Sequence, residues 1–340
     1  METIVRQKCD NLTGNYVIMS KGNRLEHNEL VLAGAGLFQA SGITPNPDKL
    51  KECKKIIKKR EGVFSTFRGL GEYIVRTKMA ISDSPEQYLT HLETVYQLLK
   101  KFSSDSRTLL AAMVIVDQSQ PADYAHMAEK TKYIYQQMRT AHPLLTDQGD
   151  MPFAALMAVL GRDTESIHQQ AEEIYGILKK DLRAANNTRQ ALSHLLAIYD
   201  GSPDEKCAKV CEVAKGLRKT RHSLGSDLYL AILGVVVNSP LSADELIRQI
   251  GEADDYLRQF KPFKGVFGMG KKATRSYAVQ VVESAYARQD FSMDALSGVG
   301  VTAMINASIE TTILMLMLLY CMMASSAAAS SAAAAASSSS

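Results

Sequence analysis

Five stretches of the chain carry an apolar residue followed directly by a basic one: Leu99-Lys100, Met138-Arg139, Leu178-Lys179, Leu217-Arg218 and Leu257-Arg258. Successive members stand 39, 40, 39 and 40 residues apart. The columns upstream keep that step. Four residues earlier stand Val95, Ile134, Ile174, Val213 and Ala253; seven earlier, Leu92, Thr131, Ala171, Val210 and Ile250; eleven earlier, Tyr88, Met127, Ile167, Lys206 and Leu246. Offsets of this kind fall on one face of an α-helix, so the pattern predicts five long amphipathic helices with a common register. Thr131 departs from the apolar pattern mildly and Lys206 clearly.

A shorter and more apolar segment precedes each long helix: Leu70–Ile81, Leu109–Val116, Pro152–Leu160, Gln190–Tyr199 and Asp227–Val237. Turn residues such as Ser82-Asp83-Ser84-Pro85, Gly201-Ser202-Pro203 and Asn238-Ser239-Pro240 separate several of them from the long helices. Ser or Asp before Pro starts a helix well, because the side chain caps and Pro fits the first turn. The predicted unit is a short buried helix, a tight turn, a long amphipathic helix and a loop. Such a unit cannot bury its apolar face alone, so neighbours must stack. The expected fold is all-α, an α-solenoid-like array of about five or six helical hairpins, with its closure left open. The expected organisation is capping helices over 1–62, the array over 63–290, a C-terminal apolar helical segment over 291–323 and a disordered Ala/Ser-rich tail over 324–340.

Composition narrows the function classes only slightly. A formal net charge of +3 in 340 residues gives no reason to expect nucleic acid. The start of the chain is polar and lacks the apolar core of a secretory signal. Five scattered cysteines, Cys9, Cys53, Cys207, Cys211 and Cys321, read as free thiols. A cytoplasmic protein is expected. From Thr311 to Ala329 the chain is uncharged, and Ile313–Met323 is strongly apolar. That stretch is short for a membrane span, which needs ~20 residues. It suits a last helix that packs on the array or self-associates, with peripheral membrane contact as the alternative.

Several stretches resemble a known family: Phe64-Ser65-Thr66-Phe67-Arg68-Gly69; Met138-Arg139 with His142-Pro143-Leu144-Leu145-Thr146; Asp150-Met151-Pro152-Phe153-Ala154-Ala155-Leu156; Ala191-Leu192-Ser193-His194-Leu195-Leu196-Ala197; and the Ala/Ser tail. The likeness runs from about Lys49 to Tyr286, and the family is a bacterial one catalogued only as a domain of unknown function (number four thousand and three in that series). It implies a bacterial, helical protein and assigns no activity, cofactor or site residue.

Six features carry candidate chemistry. Gly265 to Lys271 has the spacing of a phosphate-binding loop, but Lys272 stands where Ser or Thr would hold magnesium, and no strand precedes it. Arg68, Arg107, Asp150, Arg189, Asp227 and Arg275 form a column at the start of the short helices. Arg there opposes the helix dipole and wants an anion: an acidic residue of the next unit, or an acidic ligand held by Arg68, Arg107, Arg189, Arg275, Lys271 and Lys272. His142, Asp150 and His194 would converge if one unit apart, giving a His–carboxylate site; helix capping by Asp147 and Asp150 and a satisfied inner-layer histidine at His194 are the stronger account. Cys207 and Cys211 share a helix face but lack the spacing and further ligands of a zinc site. The helix from Lys49 to Arg60 is rich in Lys and reads as a solvated face. The sixth feature is the apolar C-terminal segment. The expectation from sequence is a non-enzymatic protein-interaction scaffold with an unidentified protein partner, no cofactor, no metal and no nucleic acid. Membrane association through Ile313–Met323, or a helical enzyme built on His142, Asp150 and His194, are the alternatives.

Overall fold

The structure is a computed structural model, and it describes residues 1–21, 28–62, 65–68, 70–101, 106–160, 163–265 and 269–286. Among the described residues all regular structure is helical. The α-helices are α1 (Thr3–Ser20), α2 (Asn28–Ala40), α3 (Pro47–Arg60), α4 (Leu70–Ile81), α5 (Pro85–Leu99), α6 (Ser106–Gln118), α7 (Tyr124–Ala141), α8 (Met151–Val159), α9 (Thr164–Asp181), α10 (Asn186–Ile198), α11 (Pro203–Arg218), α12 (Ala243–Leu257) and α13 (Lys271–Tyr286). Residues 291–340, with the apolar C-terminal segment and the tail, lie outside the described residues, as do 266–268 of the Gly-rich loop.

Local chemistry sets the helix starts. Pro47 opens α3 behind Asn46, whose side chain accepts from the amides of Asp48 and Lys49. Asp163 caps α9 through Ser166 N at 2.8 Å, and Ser202 caps α11 ahead of Pro203. Ser84 precedes Pro85 but makes no side-chain cap, so Pro alone marks the start of α5. After Asn238-Ser239-Pro240 the long helix waits until Ala243, where Ser242 and Glu245 form a reciprocal capping box.

Burial follows the sequence columns. Leu99, Met138, Leu178, Leu217 and Leu257 are buried, as are the columns four and seven residues upstream. The basic residue after each is exposed, except Arg258, which is half-buried. The short segments are buried nearly all round: Met151 to Ala158 in α8 and Gln190 to Ile198 in α10 have no exposed residue. Elements of this kind lie in a middle layer. Leu228–Asn238 is a 3₁₀ helix of 11 residues in the position expected for an α-helix. Long 3₁₀ runs are unfavourable on their own and survive through packing. Gly234 lets this one approach α10, since a Cβ there would meet the Leu195 side chain at 2.4 Å.

In the inner layer α2 packs on α4, α4 on α6, α6 on α8, α8 on α10, α10 on the 3₁₀ helix, and that helix on α13. Outside them α3, α5, α7, α9, α11 and α12 follow one another, each against its inner partner. The described ends meet, because α1 packs on α2 and also on α12 and α13. Val5, Cys9 and Leu12 bury the inward face of α1. Along the rim of this seam the Tyr256 hydroxyl donates to Asp10 at 2.7 Å, Arg6 lies over the Tyr256 ring at 5.2 Å, and Gln249 Oε1 accepts from Glu2 N at 3.3 Å. Of the first three helices, expected as a cap, α2 and α3 continue the inner and outer successions, and α1 packs on both described ends.

Consecutive helices that pack side by side run antiparallel, so their connections alternate between two ends of the molecule. The connections into inner helices touch one another: Ala185 N donates to Ser226 O at 2.8 Å, and Arg218 reaches Arg183 O. Among the connections out of inner helices, Lys49 at the start of α3 reaches Ser82 O, and Lys209 within α11 reaches Ser239 O of the next connection.

Candidate functional site

The site anticipated around His142 divides in two. His142 ends α7, and its Nε2 lies 3.0 Å from both carboxylate oxygens of Glu172 on α9, with its ring against Tyr175. Asp150 and His194 do come together, without His142 in their contacts. Asp150 Oδ1 and His194 Nδ1 stand 3.7 Å apart, too far for a hydrogen bond. Both side chains are buried where α8 and α10 begin to pack. Asp150 Oδ2 accepts from Asp147 N at 3.0 Å, and Asp147 Oδ1 accepts from Gly149 N, so these carboxylates fix the turn that starts α8. Beside them Gln190 donates to Thr146 Oγ1, which itself donates to Met138 O, locking the end of the loop to α7 and α10. A general base must reach its substrate's proton. His194, with 2 % of its surface accessible, sits where only the protein reaches it.

The cationic column spends much of its charge on neighbours. Arg107 faces Asp147 of the next connection at 3.7 Å. Arg189 donates to Leu182 O and to Asn186 Oδ1. Lys272 is bonded to Asp227 of the preceding connection, and its stem runs over Gly225, whose φ of +84° gives the turn beneath it. Arg68 lies half-buried after Phe67, its amide bonded to Ser65 O. Lys271 is exposed at the first position of α13. With Arg275, these six residues lie at four separate helix starts, those of α4, α6, α10 and α13, and do not gather in one pocket.

Arg275 leads to the cluster the sequence pattern did not reveal. Its Nε lies 3.4 Å from Asp254 Oδ2, and its terminal nitrogens donate to the carbonyls of Ser223 and Arg221. The same Oδ2 is 2.8 Å from His222 Nδ1, and Oδ1 is 2.8 Å from Arg258. Asp255 pairs with Arg221 at 2.6 Å. His222, Asp254 and Asp255 offer ligand atoms within 4.8 Å of one another, a spacing that would admit a metal ion. The donor set fits one poorly: Asp254 is 1 % exposed, and its lone pairs already face two guanidinium groups and an imidazole. A divalent cation would have to displace them. The sequence signal was Asp254-Asp255 in the last turn of α12, where acidic charge opposes the helix dipole and calls for cations.

Other buried ionisable groups are paired across elements as well. Lys78 reaches Asp117 at 2.7 Å, and Tyr88 donates to the same carboxylate at 3.1 Å. Burial first, then the Asp117 charge, hold the Tyr88 phenol well above its ordinary value. Arg76 lies over the Tyr73 ring at 4.2 Å. Between α3 and α5 a shallow polar cleft of about 530 Å³ is lined by Arg60, Glu61, Thr90, Glu93, Thr94 and Gln97. Burial raises the Glu93 carboxyl, Arg60 opposes that, and Glu61 adds to it. Cys207 and Cys211 are buried, and desolvation pushes the Cys207 thiol up to about 12, the reverse of a reactive or metal-binding thiolate. In α3, Lys49, Lys54 and Arg60 are tied to Ser82 O, Glu72 and Glu93, while Lys55, Lys58 and Lys59 stay exposed or nearly so. No described helix is long and apolar enough to cross a membrane.

The chain belongs to the family described as "Protein of unknown function (DUF4003)", which matches residues 15–310. It is also similar to the "Uncharacterized protein YeaA" of Bacillus subtilis (strain 168), at 20 % identity over 217 residues. That likeness covers 61 % of this chain and 66 % of the relative, just under two thirds of its length. No solved structure matches the chain.

Proposed function

We propose that the protein is a non-enzymatic interaction scaffold that binds through the end of the molecule carrying the connections into the inner helices. The supporting observation is how charge is sorted between the two ends. In the described segments 58–62, 65–68, 100–101, 106–107, 139–150, 179–189, 218–227, 258–265 and 269–275 there are 21 Lys and Arg against 5 Asp and Glu. In the opposite connections, 41–49, 82–87, 117–123, 163–165, 199–206 and 238–245, there are 12 Asp and Glu against 2 Lys. Several ionisable groups within the fold, Lys78 with Asp117 and His222 with Asp254 among them, are paired between elements, whereas many cations of the basic end are exposed. A surface of that kind recruits an anionic partner. The enzyme reading has less support, since the His194–Asp150 pair is enclosed.

Affinity capture with the tagged chain, compared with the variant Lys58→Glu, Lys59→Glu, Lys179→Glu, Lys180→Glu, tests the reading. A stoichiometric protein partner held by the parent and lost by the variant supports it. A partner that the variant keeps removes the basic end from the reading, and a chain that always returns alone removes the protein scaffold.

A further inference from the structure

We infer that the basic end is a docking face for an anionic lipid surface, on which Leu144 inserts. This rests on the reading of that end as the binding surface and names its partner. Two independent observations carry it. The first is the number of cations left over after internal pairing. Helix dipoles explain the Lys or Arg in the last turn of α3, α7, α9 and α11 and at the C-caps of α5 and α12. They do not explain Lys261 and Lys264 out in the loop after α12, or Lys271 at the start of α13, where the dipole opposes positive charge. Lys58, Lys59, Lys101, Lys180, Lys219 and Lys264 are all exposed. None of these six makes an ion pair among the described residues. They come from five of the six connections of this end, so the charge is spread across it and not gathered at one pocket. A broad, diffuse positive surface matches an anionic bilayer, which presents spread negative charge and no shaped ligand.

The second observation is Leu144. It is 97 % exposed, beside exposed Pro143, at the tip of the α7–α8 connection. That connection belongs to the basic end. The tip is held by a firm base: Leu145 N and Thr146 N both bond to His142 O, His142 meets Glu172, and Thr146 Oγ1 bonds to Met138 O. A leucine held in water by a built turn, on the end of the molecule where cations outnumber acids, has the design of a peripheral insertion loop: charge brings the face to the headgroups and the apolar side chain enters the acyl boundary. Nucleic acid would be drawn by the same charge but gives an isolated leucine nothing to enter.

The test is sedimentation of the full chain with vesicles of phosphatidylglycerol and phosphatidylcholine in equal parts, against phosphatidylcholine alone. Binding is expected to the anionic vesicles only, and to fall more than tenfold when salt is raised to about 0.5 M. Lys58→Glu, Lys59→Glu, Lys179→Glu, Lys180→Glu is expected to weaken it more than tenfold. Leu144→Asp is expected to weaken it several-fold, while Asp83→Lys with Glu86→Lys on the opposite end does not. All of these positions are exposed, and unchanged thermal midpoints would show that the variants fold. Equal binding to neutral vesicles, or full binding by the reversal variant, overturns the inference, and the latter would point to the apolar stretch Ile313–Met323. Retention of a homopolymer RNA through the same lysines, with vesicles ignored, overturns it in favour of nucleic acid. A protein partner captured through the basic end by a chain that ignores vesicles would leave the scaffold reading standing and remove the lipid.

Discussion

Among the described residues, the histidine–aspartate pairs His194–Asp150 and His222–Asp254 are built in opposite ways. His194 and Asp150 sit between α8 and α10, 3.7 Å apart, with the imidazole Nδ1 making no hydrogen bond. His222 and Asp254 sit at the end of α12, 2.8 Å apart, with Arg258 and Arg275 on the same carboxylate. In the first pair the aspartate serves its own turn and the histidine fills space. In the second the aspartate is the counter-ion that lets α13 and the connection after α11 close on α12. A buried carboxylate stabilises a fold only when its charge is met. The comparison teaches that the residue types alone do not mark a site; the cations around the acid do.

Removing the acid of the second pair should have the largest effect. Asp254→Ala leaves the half-buried Arg275 against the Ser223 and Arg221 carbonyls with its anion gone, and Arg258 and His222 lose the same partner. A loss of about 3 kcal/mol is expected, because breaking a buried ion pair strands the other charge. Urea denaturation would show it. A change under about 1 kcal/mol would mean that the arginines relax to solvent and that the cluster does not hold the end of the array.

At the first pair, Asp150→Ala should cost less, about 1–2 kcal/mol, the value of a turn-fixing acceptor. The bond at risk is the one from Asp147 N. Asp150→Asn keeps an acceptor and should recover most of it. If Asn were as damaging as Ala, the charge itself would matter, and His194 would be its partner after all. With no such partnership, His194→Leu should fall within about 1 kcal/mol of the parent in either direction, since an apolar side chain of similar size replaces a ring with an unbonded nitrogen. A much larger loss would show that the imidazole is held by contacts beyond Asp150.

Much of this was legible in the chain. The step of 39 to 40 residues and the offsets of four and seven named the buried stripe, and Leu99 through Leu257 lie in the core as that register requires. The inner segments were legible because they are apolar all round. Hidden were the features that depend on which elements meet far apart in sequence. The Tyr256–Asp10 bond joins residues 246 positions apart, and no local period predicts it. The 3₁₀ form of Leu228–Asn238 also escaped, because an apolar run of that length does not distinguish one helical form from the other. The approach of Asp150 to His194 was anticipated from the unit step, while His142 was drawn instead to Glu172, one helix layer further out. Asp254-Asp255 could have been noticed as acidic charge at the wrong end of a helix; its ring of arginines could not, since Arg275 lies across a loop.

Glu93 stands between the two cases, with Arg60 bonded to it on one side and Glu61 on the other, and it gives the smallest expected effect. Burial outweighs Arg60, so its carboxyl is raised in the folded chain. A raised carboxyl means that the folded state holds its proton to higher pH than the unfolded state does. Between those two values stability therefore falls as pH rises, and above the folded value the penalty is complete. Glu93→Gln mimics the protonated group. The variant should gain in thermal midpoint relative to the parent as pH goes from 4 to 7, by a small amount because solvent still reaches the side chain. If the parent gained instead, Arg60 would be winning over burial and over Glu61. Glu93 would then belong with Asp254, as an acid defined by its cation, and the contrast between the two histidine pairs would extend to the shallow cleft between α3 and α5.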